Sequence, residues 1–228
     1  MEYEMELWRA RAASVLAAVS IVSVVVGCGG HAAKSVAAPA TSTSVASTTT
    51  TLPPAPADLR TAIINQVPGN YYEQPTGIGL DGPLDLKSAT LAEFGDSTAS
   101  DVLQKFDFQR GYRRAWFISG STKEVIIRVL LFDPPGEANF FYNYVVDPLS
   151  TLPAGETAFD VPGIANAGGV TDRYHDSTGS RLAQNVDLVR GPLFVSMVVD
   201  APGTGATTAE VIAVAQAEVA KLASLGYP

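Results

Sequence analysis

Hydrophobic and polar positions divide this chain into three stretches. From Ala12 to Val26 the chain is apolar or small and carries no charge, with no break that would end a helix. From Gly29 to Ala57 it turns polar, small and proline-bearing, with no period of either two or three to four residues. From Asp58 onward apolar residues recur with the spacings of helices and strands.

Within this third stretch, "DLRTAIINQVP", "PLDLKSATLAEFG" and "ASDVLQKFDF" predict short helices, the second stopping at Gly95. "YRRAWFIS" and "EVIIRVLLF" read as strands joined by a "GSTK" turn. The second is apolar on both parities, with Val125, Ile127, Val129 and Leu131 on one and Ile126, Leu130 and Phe132 on the other, which predicts a central strand covered on both faces. "DPPGEANFFYNYVVD" predicts a helix capped by Asp133, with Pro134 at its first position. Its apolar pairs are Phe140 with Tyr144 and Phe141 with Val145. "AFDVPGIANA", "GVTDRYHD", "RLAQNVDLVR" and "LFVSMVV" predict short strands. The final "TTAEVIAVAQAEVAKLASLG" predicts a helix. Thr207 and Glu210 form its capping box, Val211, Ala215, Val219 and Leu222 its apolar face, and Gly226 its stop. Helices, hairpin, helix, strands and helix in this order predict an α+β domain, an antiparallel sheet flanked by helices. Residues 112–147 and 181–225 each run strands then helix, a weak internal similarity.

The first stretch is too short to span a bilayer, which takes about 20 apolar residues, and suits the apolar part of a secretory signal that follows Arg9 and Arg11. It ends in Val25, Val26, Gly27 and Cys28, the only cysteine in the chain. This resembles the lipobox of bacterial lipoproteins. The resemblance implies a diacylglyceryl group on the Cys28 thiol, palmitate-type acylation and cleavage before Cys28. Two acyl chains at about 0.8 kcal/mol per buried methylene hold a protein stably where one holds it marginally. The expected organisation is a signal peptide over 1–27, a lipidated cysteine and disordered Ser/Thr/Pro-rich tether over 28–57, and one α+β domain over 58–228. Nine of the eleven residues from 41 to 51 are Ser or Thr, with too little to bury to offset the entropy of ordering. The expected location is the extracytoplasmic face of the cell membrane, lipid-anchored.

With Cys28 consumed, the domain has no thiol for a disulfide, a thiolate metal site or a cysteine nucleophile. From residue 58 it carries 12 basic and 20 acidic side chains, so phosphate backbones repel it and nucleic acid is excluded as a partner. "GIGLDG", residues 77–82, matches a dinucleotide fingerprint by letter alone. No apolar strand precedes it and Pro83 follows at once, so it reads as a loop. Asp172, His175 and Asp176 lie close in sequence but supply three ligands at best, and a solvated edge is the simpler reading. No metal, cofactor or catalytic residue is assigned.

"RGYRRAWF", "EANFF", "FDVPGIANA", "VRGPLFVSMVV" and the final helix, over roughly 106–225, resemble small actinobacterial envelope lipoproteins. This group includes mycobacterial lipoproteins of the LpqN type and the extracellular sensor domain of the PknH kinase. The resemblance implies a PsbP/Mog1-like fold and a binding or adaptor domain rather than an enzyme. The expected function is therefore non-catalytic binding or sensing of a lipid, glycolipid or cell wall component. Candidate ligand residues are Trp116, Phe140 and Tyr144, for their rings, and Arg113 and Arg114, for an anionic headgroup. The competing readings are a protein–protein adaptor of the cell envelope and a hydrolase with a dispersed site, for which the sequence offers only His175.

Overall fold

The structure is a computed structural model and describes residues 52–96, 99–146, 152 and 155–228. The signal region, Cys28 and the Ser/Thr tract lie outside the described residues. A 3-10 helix, Leu59–Ala62, opens the domain. Two short strands follow, β1 (Tyr72–Glu73) and β2 (Gly82–Leu84), then helices α1 (Leu86–Phe94) and α2 (Ser100–Lys105). The hairpin of β3 (Phe108–Phe117) and β4 (Glu124–Phe132) leads to α3 (Gly136–Val146). Strands β5 (Glu156–Phe159), β6 (Ala167–Asp176), β7 (Gly179–Arg190) and β8 (Leu193–Pro202) precede the final helix α4 (Thr208–Ser224).

The eight strands form one sheet in the order β1-β3-β4-β8-β7-β6-β5, with β2 also paired to β3. Every pairing is antiparallel. The α+β expectation holds, and β4 is central as its doubly apolar pattern requires. Its odd-numbered residues, with Trp116, Val186, Leu193, Val195, Met197 and Val199, form a core with α4 and the N-terminal segment. Leu130 and Phe132 face the other side, under α1, α2 and α3, where Phe141 lies among Phe94, Phe106, Phe132 and Phe194. Close packing here depends on a missing side chain: a Cβ on Gly111 of β3 would lie 2.7 Å from Leu130 Cδ2 and 3.3 Å from Leu84 Cβ.

Local chemistry places most ends as expected. Asp85 caps α1 through Ser88 N–H, and Gly95 closes it at φ 64. The Thr207–Glu210 capping box is complete. Four expectations need correction. Strands β6, β7 and β8 are long, at 10, 12 and 10 residues, because ladder pairing along the whole sheet carries them through residues that looked like breaks. Helix α3 starts at Gly136, so Pro134 precedes the helix. Its carbonyl instead accepts from Glu137 N–H. Phe140 and Phe141 are adjacent and cannot share a helical face, and the one kept inside is Phe141, fully buried, while Phe140 is 58% exposed. The similarity between 112–147 and 181–225 is not a structural repeat, since α3 and α4 cover opposite faces of the sheet.

The boundary at residue 58 also moves. Residues 52–57 lie on the domain: Tyr227 Oη donates to the Pro54 carbonyl at 2.7 Å, and Arg110 donates to the carbonyls of Pro56 and Ala57 at 2.6 and 2.7 Å. Composition alone reads these prolines as tether, but a proline segment keeps its carbonyls as acceptors and loses little entropy on docking.

Candidate functional site

Strands β3, β4 and β8 end together at one pole of the sheet, where α4 begins. There Ile118 follows β3, Val125 is the second residue of β4, and Val199 lies near the end of β8. The first turns of α4 bring Glu210, Ala213 and Val214 over them, and the segment Pro68–Tyr71 closes the side. These residues line a cleft of about 440 Å³. That volume is within the range of about 300–1,000 Å³ of small-molecule sites, and its walls are mainly apolar. The wall is contributed by segments far apart in sequence, joined by the β3–β4 and β4–β8 registers.

The polar groups at the rim hold one another. Lys123 Nζ donates to Glu210 Oε1 at 2.5 Å and to the Gly205 carbonyl at 2.8 Å. Glu210 Oε2 accepts from Thr207 N–H and Oγ1, both at 3.0 Å. Partial burial pushes the Glu210 carboxyl up, but the hydrogen bonds from Lys123 and Thr207 outweigh it and hold the group below its ordinary value. Burial pushes the Tyr71 phenol up, with the Lys123 charge opposing it. Both shifts keep Glu210 ionised and Tyr71 neutral near neutral pH.

The five residues expected to grip a ligand do not gather at one site: only Arg114 and Trp116 touch, and both are turned into the protein. Trp116 is fully buried next to this cleft, opposite Val125 in the strand register, and presents no surface to it. Arg114 lies over the Trp116 ring at 5.0 Å and binds the Glu73 carboxylate and the Ile64 carbonyl, both at 2.7 Å. Arg113 points to the opposite face of the sheet, where it pairs with Asp81. Phe140 is in solvent on α3, and Tyr144 packs tilted on Phe106 with their centroids 5.5 Å apart.

The basic cluster of Arg110, Arg113 and Arg114 is spent inside the protein. Each arginine fastens a different part of residues 52–81 to β3. The GIGLDG loop has its place in this set: Gly77, Gly79 and Gly82 take positive φ, no helix opens there, and Asp81 is delivered to Arg113. His175 is exposed. It points from β6 to the face opposite Asp172 and Asp176, as strand alternation requires.

Sequence reasoning passed over Ile118, Lys123, Val199, Ala213 and Val214, and read Glu210 only as a helix cap. No local motif marks them, because the cleft exists only after strand pairing. It also passed over Glu218, whose signal was present: a lone carboxylate on the apolar face of α4, three residues after Ala215 and four before Leu222. Glu218 is fully buried, and its Oε2 accepts from Ile64 N–H at 3.0 Å. Burial pushes its carboxyl up to about 7, against the Ile64 hydrogen bond and the charges of Arg114 and Lys221.

A second depression, of about 570 Å³, lies between α3 and the β5–β6 edge, lined by Tyr142, Val146 and Phe159–Pro162 among others. It is wider, more polar and less enclosed. Among the described residues no three His, Cys, Asp or Glu side chains gather as a metal site, and no helix is long and apolar enough to cross a membrane.

No family model matches the chain. No curated protein matches it either. Among solved structures, the extracellular domain of PknH from Mycobacterium tuberculosis is similar at 14% identity and a TM-score of 0.45, covering 68% of this chain and 86% of that one.

Proposed function

We propose that this chain is a non-catalytic binding domain that holds the apolar part of an amphiphile in the cleft beneath α4. It is anchored through Cys28 at the extracytoplasmic face of the membrane, alongside the envelope lipoproteins its sequence resembles. The observation that carries the reading is the cleft itself: a half-open hollow of about 440 Å³ in which Ile118 and Ala213 are the part-exposed apolar walls, over buried Val125, Val199 and Val214, with Pro68–Tyr71 and Glu210 at its side. Its polar rim is already paired internally. Such a site gains affinity from apolar area removed from water, at about 25 cal/mol per Å² before the costs of association.

The test is titration of the chain from Gly29 onward with a fluorescent fatty acid, wild type against Ala213→Trp. Ala213 is part-exposed on a helix, so the larger side chain fills the hollow without entering the core. Saturable binding by the wild type and its loss in the variant are expected. Equal binding by both refutes the site.

One observation favours the adaptor reading. Tyr72, Ile78 and Phe140 hold large apolar side chains in solvent, at 68%, 53% and 58% exposure. Cross-linking in cells that captures an envelope protein with the wild type but not with Phe140→Ser or Tyr72→Ser would support it.

A further inference from the structure

Five arginines are buried among the described residues, and four have a carboxylate beside them. Arg113 has Asp81, Arg114 has Glu73, Arg128 has Glu93, and Arg181 has Asp176 and Asp200. Arg190, only 7% exposed, has none. Burial alone pushes its guanidinium below the ordinary value, and no neighbouring charge opposes the shift. A charge taken out of water is costly unless an opposite charge meets it.

The strand register fixes where this cation sits. Arg190 ends β7 and pairs with Leu193 across the Gly191–Pro192 turn. Alternation puts it on the α4 face of the sheet, in line with Leu188. The exposed Ala165 and Asn166 lie to one side of it. On the other is the Gly191 turn, where a Cβ would lie 3.1 Å from Leu52 Cδ1 and 3.4 Å from Tyr227 Cδ1. Val199 in the wall of the α4 cleft is six residues further along β8 than Leu193, about 20 Å at roughly 3.3 Å per residue, so the two places are separate.

The three nitrogens of Arg190 are used unequally. Nη1 donates to the Ala165 and Val189 carbonyls at 3.0 and 2.7 Å. Nε is sealed without an acceptor. Nη2 donates to no protein atom and keeps contact with solvent. Nε–H and one Nη2–H lie parallel on one edge of a guanidinium, and together they match two oxygens of a single anion. Two other arginines of this protein show that edge at work. Arg114 sets Nε and Nη2 on the two Glu73 oxygens at 2.9 and 2.7 Å, and Arg181 sets them on the two Asp200 oxygens at 3.3 and 2.8 Å. In Arg190 neither donor of the edge meets a protein acceptor.

We infer that the Nε–Nη2 edge of Arg190 is a second binding site, which takes a carboxylate or phosphate group of a ligand through two of its oxygens. Nη2 makes the first contact and Nε completes the fork. Holding the two carbonyls occupies Nη1 alone, so a purely structural role leaves this edge unused. The site is independent of the proposed cleft, and the outcome of its test does not touch that reading.

The experiment takes the full chain in dodecyl maltoside micelles, labelled with ¹⁵N-arginine, and follows each arginine Nε–H resonance. Sodium phosphate or sodium acetate replaces sodium chloride at constant ionic strength. The Arg190 resonance is expected to move to saturation at a concentration at least about tenfold below that which moves exposed Arg173, while Arg114 and Arg181, whose edges are filled, stay in place. Saturation by phosphate alone assigns a phosphate-bearing ligand, by acetate alone a carboxylate-bearing one, and by both a site open to either. Arg190 and Arg173 moving together, or Arg190 moving with neither anion, overturns the site. Arg190→Lys keeps the charge and a donor for the carbonyls but has no fork. The anion that saturates the wild type should raise its midpoint temperature above that in chloride, and the lysine variant should lose this gain. An equal gain in both proteins contradicts a fork at Arg190.

Discussion

Glu218 makes the stability of this protein depend on pH in a direction opposite to most paired carboxylates, and Glu218→Gln isolates the effect. The carboxyl is buried between α4 and the segment that carries Ile64, and burial moves it from an ordinary 4.5 to about 7. The folded state therefore keeps a proton that the unfolded chain releases. Below about pH 4 both states are protonated and the group costs nothing. As pH rises from about 4.5 to 7 the unfolded chain ionises first, and stability falls. Above about 7 both are ionised and the loss is complete, at about 3 kcal/mol for a shift of this size. Glutamine supplies an acceptor for the Ile64 N–H and, like the protonated acid, also carries a donor. Wild type and Glu218→Gln are thus expected to match at pH 4, with the variant gaining up to about 3 kcal/mol by pH 8. Urea denaturation of the chain from Gly29 onward measures this at each pH, read by the fluorescence of buried Trp116. The difference between the two proteins cancels every titration they share. A difference that is flat from pH 4 to 8, or a variant that grows less stable as pH rises, refutes the reasoning.

Other outcomes follow from the packing. Phe141→Ala removes the ring at the centre of the aromatic cluster and should cost about 3–5 kcal/mol, whereas Phe140→Ser on the exposed side should stay within about 0.5 kcal/mol, both by thermal or urea unfolding. Arg110→Ala removes two hydrogen bonds from a charged donor to the arriving chain. It should cost about 1–2 kcal/mol and speed amide hydrogen exchange over residues 52–64 while leaving α4 unchanged. Ala213→Trp should abolish amphiphile binding with little change in midpoint temperature.

What the sequence made legible was local. The capping box at Thr207, the stop at Gly95 and the doubly apolar run of β4 each act through neighbours in sequence, and each is where its chemistry puts it. What it hid was long-range pairing. Arg113 and Arg114 looked like a basic patch because their partners, Asp81 and Glu73, lie 32 and 41 residues away. Being adjacent on a strand, the two arginines also point to opposite faces. Trp116 and Phe140 looked equivalent as aromatics, yet one is sealed in the core and the other is in water. Helical periodicity could not choose between Phe140 and Phe141, because only the position of the sheet decides which side of α3 is inside. The prolines at 53, 54 and 56 read as tether because their carbonyls, which do the docking, are invisible to composition.

The most direct test of the central claim is the native mass of the chain from Gly29 onward after incubation with membrane and wall extract of the source organism, wild type beside Ala213→Trp. A discrete adduct on the wild type that the variant lacks is the predicted result. An adduct equal on both proteins, or two unliganded masses from an extract rich in amphiphiles, would contradict a binding site beneath α4.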